Sequence, residues 1–160
     1  MKLVDSTTGP RGYVKIRKIF TDGSEELHYE GENLIVILGK SIVLGQMYYS
    51  SGNGDPLSYA KIGTGGAIDI DGNFLKNPTV DLTDLYTPIA TASILKTAED
   101  LSVPSITLVA AIDNSVANGQ YINEAGFFSA SGKMFNIKTF PRVLKKNTFS
   151  LNIEWVLKMF

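Results

Sequence analysis

The strictest pattern in this chain is an alternation of apolar and polar residues near its C-terminal end. Over residues 148–158, large apolar side chains occupy every second position, and mostly polar ones lie between them. The apolar positions are Phe149, Leu151, Ile153, Trp155 and Leu157. A period of two places these side chains on one face of a strand. The pattern therefore predicts a strand whose apolar face, including Trp155, lies in the core.

Shorter segments of this kind recur along the chain and are separated by turn residues. Asp22-Gly23 predicts a hairpin between residues 13–20 and 25–30, because this pair tolerates positive φ. Further predicted strands cover residues 58–62, 105–112, 121–128 and 133–140. Short turns favour antiparallel pairing of the last four strands. We expect a mainly β protein, a single antiparallel β-sandwich domain over residues 1–160.

Two segments interrupt this pattern. Residues 33–49 fit either a buried helix capped by Asn33 or two short strands that turn at Gly39-Lys40-Ser41. The helix is favoured, although Gly39, Gly45 and the β-branched residues count against it. Residues 67–88 are rich in Asp, Asn, Gly, Pro and Thr and predict a long, ordered or partly mobile loop. Loops of this length in a single domain are often functional.

Composition excludes several classes of function. Fifteen Lys and Arg stand against sixteen Asp and Glu, with no basic block to bind nucleic acid or an anionic membrane. The chain has no cysteine, which excludes disulfides and thiolate chemistry. Its most apolar segment, residues 34–44, is broken by Gly39-Lys40-Ser41 and is too short to span a bilayer. The first residues lack the apolar stretch of a signal peptide, so we expect no export by that route.

Several short motifs are typical of chemical sites but are incomplete here. Gly39-Lys40-Ser41 lacks the glycine that a phosphate-binding loop has five residues earlier. Residues 63–66, Gly-Thr-Gly-Gly, are followed by no predicted helix, so a tight turn or a close approach of the backbone to a neighbour is favoured over an anion site. Residues 69–73 resemble a calcium loop but lack its third oxygen ligand and its glutamate. A solvated turn is favoured there over a metal site.

Two titratable residues are notable for their positions. His28, the sole histidine, lies in a predicted strand with no carboxylate spaced to orient it, so a surface position is favoured over catalysis. Glu124 lies in a strongly apolar strand, where a charge must be paired or reach solvent. We expect it to form a structural hydrogen bond or an ion pair, with Arg142 or Lys138 as candidate partners. No enzyme activity, cofactor or metal is predicted.

Aromatic side chains near loops leave two functions open. Tyr48, Tyr49 and Tyr86 are typical of sugar-binding sites, where rings stack on sugars, and equally of protein interfaces, where tyrosine is enriched. Trp155 is assigned to the core by its position on the alternating face.

The order of several segments resembles a known class of protein. These segments are Asn33-Leu34-Ile35-Val36 with Gly39-Lys40, residues 62–66, the acidic residues 81–85, residues 122–128, Phe140-Pro141 and residues 151–155. Together, over about residues 30–158, they resemble small structural proteins of tailed bacteriophages. The resemblance implies a compact β-sandwich of the tail, baseplate or tail fibre that forms rings or trimers. It also implies a helix at about residues 33–47, and it supplies no catalytic residue. Residues 67–78 form a longer segment than this pattern has between its glycine turn and its acidic segment.

These observations predict a virion structural protein that acts by packing against itself, in a ring or trimer, and against other virion proteins. We expect it in the virion, with no nucleic-acid or membrane partner. The candidate interface residues are Leu75, Val80, Leu82, Leu85, Tyr86, Met159 and Phe160. The alternative is a carbohydrate- or receptor-binding module of a phage appendage. A small hydrolase is a more remote third possibility.

Overall fold

The computed structural model describes residues 11–48, 54–100, 102 and 105–158, with the backbone alone for 43–48 and 96–100. Eight strands and one helix follow one another within these residues. They are β1 (Arg11–Phe20), β2 (Glu25–Ile35), α1 (Ile37–Tyr48), β3 (Leu57–Gly63), β4 (Pro88–Asp100), β5 (Ser105–Ile112), β6 (Tyr121–Ser129), β7 (Asn136–Leu144) and β8 (Phe149–Lys158).

The strands form one closed antiparallel barrel. Their order is β1-β2-β7-β6-β3-β4-β5-β8, and β8 pairs along its whole length with β1. The predicted mainly β, antiparallel structure is confirmed. The sheet closes on itself, however, and does not divide into the two sheets of the expected sandwich.

Two long strands change partner and thereby close the barrel. β4 pairs with β3 through residues 88–93 and with β5 through residues 94–100, with a register shift between Ile94 and Lys96. β2 pairs with β1 through residues 25–33 and with β7 only at Leu34 and Ile35. Strands that bend from one sheet into the next make the corners of such folds. Inward-facing residues then alternate with outward-facing ones in a barrel as they do in a sandwich, so the sequence pattern is the same for both.

The turn chemistry is confirmed where the sequence is most specific. Gly23 has a φ of +86° in the β1–β2 hairpin, and Asp22 accepts a hydrogen bond from the backbone N–H of Ser24 at 2.9 Å. The predicted strands at residues 58–62, 105–112, 121–128 and 148–158 correspond to β3, β5, β6 and β8. β7 begins at Asn136, three residues later than predicted, and β4 had not been predicted at all.

The barrel interior is filled by the alternating residues of β8 and their neighbours. Phe149, Leu151, Ile153 and Trp155 are buried, and Leu157 is partly buried against the same cluster. The Trp155 ring lies 5.5 Å from the ring of Phe127 and 4.9 Å from that of Phe135, measured between centroids. The predicted core position of Trp155 is therefore confirmed.

A second apolar cluster lies on the other face of β6 and β7. Its buried members are Val36, Leu85, Phe128, Met134 and Ile137. Phe127 and Phe128 are consecutive and point to opposite faces, so each belongs to a different cluster. The 67–88 loop supplies Leu85 to this cluster and packs Leu82 and Tyr86 against it. The loop is thus ordered, and it covers an outer face of the barrel.

The helix begins later than predicted. α1 starts at Ile37, while Asn33 belongs to β2 and pairs with Gly12 of β1. Asn33 is therefore not a helix cap; its Oδ1 accepts a hydrogen bond from Trp155. Leu34 and Ile35 extend β2 because their pairing with β7 satisfies the backbone there. Among the described residues, no helix is both long enough and apolar enough to cross a bilayer.

Candidate functional site

Glu124 fastens the ends of the β3–β4 connection to the barrel. Its carboxyl group is buried and accepts three backbone hydrogen bonds. Oε1 accepts from Gly65 at 2.9 Å and from Thr87 at 2.8 Å, and Oε2 accepts from Tyr86 at 2.9 Å. The predicted structural hydrogen bond is confirmed. Its partners are backbone amides rather than the Arg142 or Lys138 side chain.

The glycines of residues 63–66 allow this contact. A Cβ on Gly66 would collide with the backbone oxygen of Asn123, and one on Gly63 would collide with Glu124. The Gly66 N–H donates to Asn123 Oδ1 at 2.7 Å. Asn123 and Glu124 together therefore hold both ends of the loop. The segment is a close approach of backbone to a neighbouring strand, as the sequence predicts, rather than an open anion cradle.

A second anchor lies where the loop returns to the barrel. Lys61 Nζ contacts both carboxylate oxygens of Asp84 at 2.9 Å. The same ammonium lies 4.4 Å from the centroid of the Phe128 ring. A cation placed over an aromatic face gains from the negative charge of that face. This contact seats the acidic residues 81–85 on the second apolar cluster.

Residues 67–75, called here the 67–75 loop, form a small closed turn that projects from the barrel. Ala67 and Leu75 form an antiparallel bridge, and the Ile68 N–H donates to Phe74 O at 2.7 Å. Asp69 accepts hydrogen bonds from the backbone N–H groups of Phe74 at 2.8 Å and Asn73 at 3.2 Å. The Phe74 N–H is the main cause of a lowered pKa of the Asp69 carboxyl. The ionised Asp69 therefore acts as the internal brace of a turn.

This turn carries three large apolar side chains into solvent. Ile70 is 96% exposed, Ile68 is 72% exposed and Phe74 is 69% exposed. Isolated surface apolar residues are common in folded proteins. Three on one hydrogen-bonded loop of nine residues form a local apolar patch, which indicates an interaction surface.

A polar cleft of about 320 Å³ lies beside this loop. We call it the Arg142 cleft. One wall is the 67–75 loop, the other is the turn that precedes β6, and Arg142 of β7 reaches in between them. Its lining residues are Thr64, Ala67, Asp69, Ile70, Gly72, Gly119, Gln120, Tyr121, Asn123 and Arg142.

Arg142 contacts both walls of the cleft and so links them. Its Nη1 donates to Ile70 O in the 67–75 loop at 3.2 Å. Its guanidinium carbon lies 4.4 Å from the centroid of the Tyr121 ring at the start of β6. Gly72, at a φ of +72°, lies so close that a Cβ there would stand 2.7 Å from Arg142 Cδ. Arg142 thus contacts both the 67–75 loop, 72 residues before it in the sequence, and the first residue of β6.

Lys145 is a buried cation outside this cleft. The turn that includes Asn114 and Asn118 wraps its ammonium, which lies 3.3 Å from Asn114 O, 3.4 Å from Asn118 Oδ1 and 3.1 Å from Lys146 O. Burial is the main cause of its lowered pKa, and the charge of Asp113 opposes that shift. Neutral oxygens therefore provide the direct contacts of this ammonium.

The predicted interface residues have different surroundings in the structure. Leu85 is only 5% exposed and belongs to the second apolar cluster, so almost none of its surface is available to a partner. Leu82 and Tyr86 are partly covered by the same cluster, and Leu75 is half-buried in the bridge with Ala67. Val80 remains 42% exposed. Met159 and Phe160 lie outside the described residues.

Of the three tyrosines considered for sugar or protein binding, Tyr86 alone has a described side chain. Tyr86 has the Lys76 ammonium 4.4 Å from its ring centroid, which covers one face of the ring. Tyr49 lies outside the described residues, and Tyr48 is described by its backbone alone. His28 lies in β2, and its Nε2 is 2.6 Å from Pro141 O. Sequence reasoning missed Tyr121 and Gln120 of the Arg142 cleft; their only signal was the preceding Asn118-Gly119 turn.

No protein-family model, curated protein or solved structure matches the chain.

Proposed function

We propose that this protein is a non-catalytic structural subunit that works by packing against copies of itself and against other proteins of an assembly. The observation that carries the proposal is the ordered apolar patch formed by Ile68, Ile70 and Phe74. Exposed apolar area is unfavourable in water by roughly 25 cal/mol per Å². A loop braced in this conformation offers that area to a partner with little further loss of conformational entropy.

The closed barrel supports the same proposal. Strands β1, β3, β5 and β8 pair on both sides over most of their length, so free sheet edge is confined to parts of the other strands. Contacts between subunits would then be made by loops and outer faces. The 67–75 loop is the most exposed apolar element among the described residues.

The segments that resemble tailed-phage structural proteins give the proposal its biological setting. We place the subunit in the tail, baseplate or fibre region of a virion. Two of those segments, residues 62–66 and residues 122–128, contact each other through hydrogen bonds from Gly65 to Glu124 and from Gly66 to Asn123. Neighbouring genes for tail and baseplate proteins would agree with this setting.

Sedimentation velocity over a range of protein concentrations tests the assembly. We expect the wild type to form a ring or trimer, and the double variant Ile68→Ser/Phe74→Ser to sediment as a smaller species while keeping its circular dichroism spectrum. The matched control is Leu95→Ser, since Leu95 is also 68% exposed but lies on β4. A wild type that stays monomeric at every concentration and joins no tail protein would contradict the proposal. Equal loss of assembly in Leu95→Ser would show that the 67–75 loop is not the specific contact between subunits.

A further inference from the structure

We infer that the Arg142 cleft is a binding site for a neutral carbohydrate. The inference does not rest on the proposed assembly, and the two sites share one lining residue, Ile70. Six of the ten lining residues carry hydrogen-bonding side chains: Thr64, Asp69, Gln120, Tyr121, Asn123 and Arg142. This set combines donors, acceptors and groups that are both. A ligand with many hydroxyl groups, each a donor and an acceptor, complements such a lining.

The charges of the cleft favour a neutral ligand. Asp69 and Arg142 are its only charged lining residues, and they have opposite signs. The Phe74 N–H is the main cause of the lowered pKa of Asp69, and the charge of Arg142 acts in the same direction. A phosphate, carboxylate or ammonium group would gain from one of them and be repelled by the other. Hydroxyl groups can bond to both.

The polar groups are held in place before a ligand arrives. The backbone N–H groups of Asn73 and Phe74 orient Asp69, and Ile70 O and the Tyr121 ring orient Arg142. Within the described part of the chain, the Arg142 guanidinium makes one hydrogen bond, so most of its five N–H donors remain for a ligand. Fixed groups of this kind reduce the entropy lost on binding.

Tyr121 and the cleft volume favour a small sugar over a peptide. Tyr121 is 47% exposed and has one face toward Arg142, so its remaining surface offers apolar contact to the C–H groups of a sugar ring. A volume of about 320 Å³ is at the lower end for small-molecule sites. Peptide recognition uses a free sheet edge, an apolar groove or an arginine cluster. None of these lines this cleft.

Binding is tested by titrating ¹⁵N-labelled full-length protein with glucose, galactose, mannose, N-acetylglucosamine and rhamnose. Each is taken to about 50 mM, which would saturate a site with a Kd of about 1 mM. We expect saturable shifts of the Gly72, Gly119, Gln120 and Tyr121 amides with at least one of these sugars. Glucuronic acid and N-acetylneuraminic acid serve as charged comparators and should bind more weakly.

Two variants and one control separate binding from folding. Tyr121→Ala and Gln120→Ala should each raise the Kd for the sugar that binds by about tenfold. Gln120 is exposed, so its truncation leaves the fold intact. Tyr13→Ala removes another exposed tyrosine, on β1, and should bind as the wild type does. Absence of shifts with all five neutral sugars, shifts outside the cleft, tighter binding of a charged sugar, or unchanged affinity in Gln120→Ala and Tyr121→Ala would each overturn the inference. The Ile68→Ser/Phe74→Ser variant alters no lining residue, so failure of assembly and failure of sugar binding are distinguishable.

Discussion

The indole Nε1 of Trp155 donates a hydrogen bond to Oδ1 of Asn33 at 3.2 Å, inside the barrel. Asn33 belongs to β2 and Trp155 to β8, and β1 lies between these strands. Gly12 of β1 passes directly over the pair, where a Cβ would stand 2.6 Å from Nε1. The largest side chain of the core is therefore fixed by a polar contact as well as by packing.

Truncation of Trp155 should destabilise the fold severely. Trp155→Ala removes a fully buried ring and leaves a cavity, which we expect to lower the free energy of unfolding by about 3–5 kcal/mol. Trp155→Phe keeps much of the volume but leaves Asn33 without its partner, and Asn33 Nδ2 is already buried without one. Trp155→Phe should therefore lower the free energy of unfolding by less than Trp155→Ala does, by about 1–3 kcal/mol. Urea unfolding of both variants measures these differences. A Trp155→Ala protein that melts within about two degrees of the wild type would contradict this account.

Replacement of the Glu124 carboxyl by an amide should loosen the β3–β4 connection. In Glu124→Gln, one of the two acceptor oxygens becomes an NH₂ group that faces a backbone donor. We expect a loss of about 1–3 kcal/mol in the free energy of unfolding. Faster hydrogen exchange should follow at the amides of Gly65, Tyr86 and Thr87.

The matched control for this change is Glu154→Gln. Glu154 lies on the partly exposed face of β8, and its side chain pairs with Arg17 at 4.0 Å. Partly exposed ion pairs of this length contribute at most about 1 kcal/mol. Equal destabilisation by the two substitutions would show that the backbone hydrogen bonds of Glu124 add no more stability than an ordinary ion pair.

Local patterns account for most of the strands and for the main core. The period of two in β8 and the Asp22-Gly23 turn depend on neighbours in sequence, so they are readable without a structure. β4 was missed because seven of its thirteen residues are Pro, Ala, Lys, Glu or Asp, which are uncommon in strands, and its two halves pair with different strands. Closure of the barrel follows from those changes of partner, and the alternation pattern carries no trace of them.

The candidate site was only partly predictable for the same reason. Glu124 stood out as a charge in an apolar strand, and its need for a partner follows from the cost of burial. Its actual partners, Gly65, Tyr86 and Thr87, come from a segment that the fold brings back to β6. The Arg142 cleft joins residues far apart in sequence, so no local motif predicts it. Leu85 is buried, and not exposed as expected of a loop residue, because the fold lays its segment on the second apolar cluster.

Acid should release the brace of the 67–75 loop. The pKa of Asp69 is lowered below its ordinary value of 3.8 in the folded chain. Its contribution to stability is therefore present above pH 3.8 and is lost as the pH falls through the lowered pKa. The ¹H shift of the Phe74 amide should follow this titration, with a midpoint below 3.8. The transition should vanish in Asp69→Asn, and a midpoint at or above 3.8 would contradict the assignment.

Alkali should reduce the cost of burying Lys145. Its pKa in the folded chain is lowered from 10.5, chiefly by burial, so between the lowered value and 10.5 the unfolded chain binds more protons than the folded one. The contribution of Lys145 to the free energy of unfolding therefore rises with pH in that interval. Urea unfolding of the wild type and of Lys145→Met, at about pH 7.5 and about pH 11, brackets the ordinary value of 10.5 and isolates the group, because other titrations cancel in the difference.

The stability of the wild type relative to Lys145→Met should increase from the lower pH to the higher. In the variant, the three oxygens around the ammonium lose their donor at both pH values. The loss of these hydrogen bonds therefore does not make the stability difference depend on pH. Lys146→Met is the matched control, because Lys146 is adjacent in sequence but exposed. The Lys146→Met difference at the two pH values is the baseline against which the Lys145→Met difference is compared. A Lys145→Met difference that is flat, or that falls as the pH rises, would show that the ammonium is not disfavoured by burial in the folded chain.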